Sequence, residues 1–240
     1  MNLAYITTAV NAKEVQGAQF LYNSYANTNS KYPFFVVSNN PIENLRYVKK
    51  DEIKATDRND YTPHPMNQED TTAYNKLNAW TLTDYDYVMF LSNDGIITEN
   101  LDEYFESLIE LMGDNDLLVA EQLDDGGVML DGTNFPRLTS TWFIAKPNIT
   151  IFNLLKENID SSVSEENLFY NLWDSGDLKV KILEGEENLI SLLNNLSFAY
   201  PGEAFAPHKY WECAEGLEYY NAVIADKYVI NDYLREWGII

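Results

Sequence analysis

Cysteine is nearly missing from this sequence: Cys213 is the only one among 240 residues. A lone thiol forms no intramolecular disulfide and supplies no cysteine-based zinc site. Basic residues are scarce too. Sixteen Lys and Arg face 38 Asp and Glu, a formal net charge of −22 at pH 7. That sign disfavours tight binding to a nucleic acid polymer, where Lys and Arg must displace condensed counterions, and equally disfavours docking on anionic membranes. A few local cations would therefore have to hold any anionic ligand against the field of the whole molecule. Histidine occurs only as His64 and His208. No apolar run approaches the roughly 20 residues that cross a bilayer, so no transmembrane segment is expected. Met1-Asn2 leads into apolar residues without the basic flank of a signal peptide, and the expected location is cytoplasmic. On that expectation the sequons at Asn148 and Asn195 are coincidental.

What is present suits one globular domain. Hydrophobic residues make up 45% of the chain and aromatic residues 14%, enough for a sizeable core and against wholesale disorder. Leu3 to Thr8 is a short β-rich run, and Val15, Ala18, Leu21, Tyr22 and Tyr25 then fall three or four apart, one face of a helix from Lys13 to about Asn27. Pro33 to Val37 reads as a second strand, and strand, helix, strand at this spacing predicts a crossover and a parallel sheet. Residues 49–70 are polar, carry Pro63 and Pro65, and read as a long loop. Helical spacing returns over 71–83, and Tyr87 to Leu91 is continuous apolar, as expected of a central strand buried on both faces. A helix is predicted from Leu101, with Asn100 or Asp102 near its start. Further strands are expected at 116–121 and 142–145. Helices are expected at 149–158, 165–173 and near 186–195, with a helical tail over 219–237.

Chemistry concentrates where the apolar strand meets Ser92-Asn93-Asp94-Gly95. In open α/β sheets, ligands bind beyond the carboxyl ends of the strands. A carboxylate there can hold a divalent cation that bridges a diphosphate, or it can simply accept backbone N–H bonds within a turn. The surrounding block, from Tyr74-Asn75-Lys76-Leu77-Asn78-Ala79-Trp80 through Tyr87 to Asp94, resembles the central block of the glycogenin-like glycosyltransferases of family 8. That family reads approximately T-K-L-x-x-W-x-L-x-x-Y-x-x, an apolar strand, then D-x-D. Asn100-Leu101-Asp102-Glu103-Tyr104-Phe105 is similar to the N-[IL]-D-[DE]-L-F that follows it, and Tyr5 to Thr8, Asn11 and Gly17-Ala18 sit where the family opens. Thr139 to Pro147 resembles N-S-G-x-F-x-x-x-P, and Glu166-Asn167 with Asn171 resembles D-Q-x-x-[LF]-N. The likeness runs from residue 3 to about 210.

The resemblance implies a GT-A fold, a Rossmann-like nucleotide-binding sheet of mixed strands flanked by helices. It implies a single domain over 1–240, with a nucleotide-binding half to about residue 95 and an acceptor half with a helical tail over 96–240. It further implies a retaining hexosyltransferase that moves a sugar from a nucleotide-sugar donor, usually a UDP-sugar with Mn²⁺, to a glycan, lipid or protein acceptor. By position, Thr8 and Asn11 would contact the base, Lys76 the phosphates, Ser92 and Asn93 the donor, and Ser140 the donor sugar. Asp94 and His208 would ligate the cation, and Glu166 and Asn167 would lie beside the reacting anomeric carbon. Lys76 also fits an exposed helix lysine, and Glu166 a first-turn glutamate complementing the helix dipole, with Glu165 beside it in register. Among the aromatics, Trp80, Trp142 and Phe143 are assigned to the core, while Tyr210, Trp211, Tyr219 and Tyr220 are candidates for a sugar groove.

The departures from the pattern carry information as well. Ser92 stands where the family has its first DxD aspartate, which removes a charge and predicts weaker cation binding. Glu14 replaces a tyrosine near the base, and of the C-terminal H-F-x-G-x-x-K-P-W only His208-Lys209-Tyr210-Trp211 is similar. These changes keep open a non-catalytic relative that binds a nucleotide, a glycan or a protein, and a metal-independent transferase between the two. A nucleotidyltransferase with a similar sheet is a third reading, placed behind these because the glycine-rich basic phosphate loop is missing from the N-terminal turn.

Overall fold

The computed structural model describes residues 1–53, 73–93, 95–97, 100–120, 127–128, 134–135, 138, 142–159, 165–183 and 198–199. In chain order these form β1 (Leu3–Thr8), α1 (Ala12–Ala26), β2 (Phe34–Ser38), β3 (Tyr47–Lys49), a 3-10 helix (Ala73–Thr81), β4 (Tyr87–Leu91), β5 (Ile96–Ile97) and α2 (Asp102–Met112). They continue as β6 (Leu117–Ala120), β7 (Gly127–Val128), β8 (Asn134–Phe135), β9 (Trp142–Ala145), α3 (Ile149–Glu157), α4 (Glu165–Asp174), β10 (Val180–Leu183) and β11 (Phe198–Ala199).

Seven strands make one sheet in the order β10-β6-β9-β4-β1-β2-β3. β1 pairs in parallel with β2 and β4, β2 with β3, and β6 with β10. β9 runs antiparallel between β4 and β6, which makes the sheet mixed. β5 and β11, and β7 and β8, pair separately as antiparallel ribbons. Residues on both sides of position 95 thus contribute to the same sheet.

Both faces of the sheet are covered, which is why its strands read as unbroken apolar runs. Successive side chains alternate between the faces. Leu3, Tyr5, Met89, Leu91 and Ile144 meet Ala18 and Leu21 of α1 and Phe105, Leu108 and Met112 of α2. Ala4, Ile6, Val88, Phe90 and Phe143 meet Leu77 and Trp80 of the 3-10 helix, Leu155 of α3, and Leu168, Phe169 and Leu172 of α4. Trp80, Trp142 and Phe143 are buried core residues, as expected, with Trp80 stacked on Phe143.

Three differences from the expected pattern have physical reasons. The segment 73–81 is a 3-10 helix and not an α-helix: Tyr74, Leu77 and Trp80 fall three apart, and in 3-10 geometry residues i and i+3 eclipse into one row facing the core. β3 is not among the predicted strands and meets the segment read as loop only at Lys49, because an edge strand with exposed Tyr47 and Lys49 carries no buried pattern. β10, the opposite edge, has no counterpart among the predicted strands, because Lys181 interrupts its apolar run. The predicted helix near 186–195, the tail over 219–237 and residues 54–70 of the long loop lie outside the described residues.

Local signals fix the helix starts. Asn11 Oδ1 accepts the Glu14 N–H at 2.9 Å while the Glu14 carboxylate accepts the Val10 N–H at 2.8 Å, a capping box for α1. Asn148 caps α3 by accepting the Thr150 N–H at 2.8 Å, so this sequon asparagine has a structural task. Asp102, in the first turn of α2, accepts Tyr5 Oη–H at 3.0 Å, Ser30 Oγ–H at 2.5 Å and Lys31 N–H at 2.8 Å. One carboxylate therefore ties β1, the turn before β2, and α2. Burial, then the Asp102 charge and hydrogen bond, push the Tyr5 hydroxyl far above the ordinary tyrosine range.

Candidate functional site

The sheet order marks where a ligand should sit. From β1 the chain steps outward to β2 and β3, then returns to place β4 on the other flank of β1. Strand order reverses between β1 and β4, and the carboxyl ends at such a switch open a crevice. The register Leu3↔Tyr87 through Ile6↔Phe90 brings Thr8 and Ser92 to the same edge. There the Asn93 amide donates to the Thr8 carbonyl at 2.9 Å, with both residues buried. That bond joins the two strand ends, so the sequence-derived candidates Thr8, Ser92 and Asn93 are brought together. Ser92 is half-buried and its carbonyl accepts the Gly95 N–H at 3.1 Å, closing the turn. Asn11 begins α1 three residues beyond Thr8, and its side chain is engaged in the cap. Glu14, which replaces an expected tyrosine, is likewise committed to capping.

Over Phe90 of β4, two residues before Ser92, lies a buried ion pair. Lys76 Nζ binds Glu165 Oε1 at 2.5 Å, with each side chain only 11% exposed, and sits 5.4 Å from the centroid of the Phe90 ring. Lys76 is thus a buried cation on the face of β4, which sets aside the alternative of an exposed helix lysine. Its partner could have been found from periodicity: Glu165, Leu168, Phe169 and Leu172 are spaced i, i+3, i+4, i+7 and form the buried face of α4. Glu166 falls one position off that face and is half-buried. Asn167 is half-buried and accepts the Asn171 amide at 3.2 Å. The first turn of α4 therefore presents Glu165 to Lys76, and Glu166 and Asn167 to one side of that pair.

The remaining candidates, Asp94, Ser140 and His208, lie outside the described residues, as do His64, Tyr210, Trp211, Tyr219 and Tyr220. Among the described residues no group of three or more His, Cys, Asp or Glu gathers as a cation site. None of the described helices is long and apolar enough to cross a membrane. The Thr7 hydroxyl, fully buried one residue before Thr8, has no hydrogen-bond partner among the described residues.

Helices on both faces of a mixed sheet, with strand order reversing between β1 and β4, define an open α/β architecture. The sequence matches no protein-family model and no curated protein. Solved structures supply the likeness. The chain is similar to the glycosyltransferase GlyE of Streptococcus pneumoniae TIGR4, at a TM-score of 0.57 and 13% identity over 100% of this chain and 64% of GlyE. It is similar to an active-site mutant of LgtC at a TM-score of 0.51 and 15% identity, over 75% of this chain and 72% of LgtC. The bifunctional glycosyltransferase WbbM aligns at a TM-score of 0.51 and 14% identity, over 76% of this chain and 38% of WbbM. The chain spans less than two thirds of the GlyE length. What is shared at such identities is the fold, and that fold is GT-A.

Proposed function

We propose that the protein is a glycosyltransferase related to family 8, which moves a hexose from a UDP-sugar to a glycan, lipid or protein acceptor with retention at the anomeric carbon. The observation that carries this reading is the junction of Thr8 and Asn93 at the strand switch, with the Lys76–Glu165 pair buried over Phe90 of the same strand β4, in a GT-A fold. A diphosphate needs a local cation to enter so anionic a molecule, and Lys76, buried against β4 and partnered by Glu165, is the candidate.

In this reading Thr8 and Asn11 face the base, Ser92 and Asn93 the ribose and diphosphate, and Ser140 the donor sugar. Lys76 carries three N–H donors, and Glu165 orients it towards the phosphates. Glu166 and Asn167 flank the anomeric carbon, where a carboxylate stabilises developing positive charge. The cation assignment rests on donor chemistry: Asp94 offers a carboxylate, His208 an imidazole and Ser92 a neutral hydroxyl, a set that suits Mn²⁺ and predicts modest affinity. Asn93 is not assigned as a ligand: as the middle residue of the turn it points elsewhere, its Nδ2–H donating to the Thr8 carbonyl. When bound, the cation neutralises the departing nucleoside diphosphate.

The test is release of UDP from UDP-glucose and UDP-galactose by the full chain with Mn²⁺. Turnover that Asp94→Ala abolishes supports the reading. Turnover that persists in Asp94→Ala overturns the cation assignment. A chain that neither hydrolyses these donors nor gains thermal stability from UDP is no UDP-sugar transferase.

A further inference from the structure

A second concavity opens against the 3-10 helix. Its geometry sorts the helix into rows of i and i+3, so Asn75, Asn78 and Thr81 share a row apart from the core row of Tyr74, Leu77 and Trp80. The polar row faces the segment after β3, where Asn75 Oδ1 accepts the Ile53 N–H at 2.8 Å. Farther along this row lies a cavity of about 200 Å³, whose walls include Lys50, Asn78, Phe152 and Lys156.

Three features of this cavity point to a ligand. Asn78 is 4% exposed, yet among the described residues no hydrogen bond reaches its carboxamide; its backbone carbonyl accepts Thr81 Oγ–H at 2.8 Å. The carboxamide opens onto the cavity and is not sealed in the core, so a ligand there can reach it. Lys50 and Lys156 form no ion pair among the described residues, in a chain with 38 acidic side chains. Phe152, half-buried on α3, offers an apolar wall opposite the polar row.

We propose that this cavity binds one carboxylate-bearing sugar unit, a uronic acid. Its volume is below the ~300–1,000 Å³ typical of sites for drug-sized ligands and suits a single hexose ring, not a nucleotide. The Asn78 amide both donates and accepts, as a pair of ring hydroxyls requires. Phe152 covers the C–H side of the ring. Lys50 and Lys156 bind the carboxylate through charge-assisted hydrogen bonds. Asp51 and Glu52 also line the cavity, and their charge favours a monoanion over a phosphate dianion. The assignment stands on the cavity and does not depend on the transfer reaction.

The test is titration of the full chain, without donor, with glucuronate, glucose and inorganic phosphate, followed by ligand-observed NMR. Glucuronate should bind at least tenfold more tightly than glucose or phosphate. The Lys50→Gln/Lys156→Gln double variant should lose that preference at unchanged melting temperature, and Asn78→Leu should weaken glucuronate and glucose alike. Equal binding of glucuronate and glucose, tighter binding of phosphate, or an unchanged preference in the lysine variant would each overturn the proposal, as would no binding of glucuronate. UDP binding, measured on the same samples, should not respond to the lysine variant; its failure in the parent protein would count against the transferase and not against this site.

Discussion

Replacing Glu165 by Gln isolates the physics of the pair that fixes the candidate site. The Lys76 ammonium and the Glu165 carboxylate are 2.5 Å apart with side chains 11% exposed, so neither charge is well solvated. Removing one member of such a pair leaves the other charge uncompensated, at a cost of about 3–5 kcal/mol. Unfolding entropy near 2.1 cal/mol/K per residue gives roughly 0.5 kcal/mol/K for 240 residues, so the melting temperature should fall by about 6–10 °C. Glutamine still accepts a hydrogen bond, which favours the lower end. The double variant Lys76→Met/Glu165→Leu removes both charges and should recover most of the loss, because an apolar pair needs no compensation. Circular dichroism melts at pH 7 read both effects. A loss below about 2 °C in Glu165→Gln, or a double variant less stable than the single one, would refute the reasoning.

Asn93→Ala removes the bond to the Thr8 carbonyl and should cost about 1–3 kcal/mol in urea unfolding, with weakened UDP binding as a second readout. Asn11→Ala opens the capping box of α1 and should cost about 1 kcal/mol, measured in the same way. Tyr5 has a folded pKa raised above its ordinary value of 10.0, so above that pH the unfolded state loses a proton that the folded state keeps. Stability is therefore intact below pH 10 and declines as pH rises beyond it; Tyr5→Phe should flatten that decline in alkaline melts. Chelation with EDTA should abolish donor hydrolysis and be reversed by Mn²⁺.

Much of the fold is legible in the sequence because burial imposes periodicity. The continuous apolar run of β4, the three-or-four spacing of α1 and the acidic start of α4 each follow from where side chains must point. The edge strands are not legible, because β3 faces solvent and Lys181 interrupts the apolar run of β10. In the site, the strand-end position of Ser92-Asn93 can be read, but not that Asn93 turns inward to Thr8, since the two are 85 residues apart. The Lys76–Glu165 pair joins residues separated by 89 positions and depends on the tertiary packing of α4 against the 3-10 helix. Asp102 shows the same limit: its place in a family-like block is visible, whereas its three-way tie of β1, the 30–31 turn and α2 emerges only on folding.

The central claim is that a nucleoside diphosphate enters at the reversal of strand order despite the acidity of the molecule. A crystal structure of the full chain soaked with UDP and Mn²⁺ addresses it most directly. The account predicts uracil beside the segment from Thr8 to Asn11, with the diphosphate between Asp94 and Lys76. A crevice filled by the protein's own side chains, or UDP bound elsewhere, contradicts it.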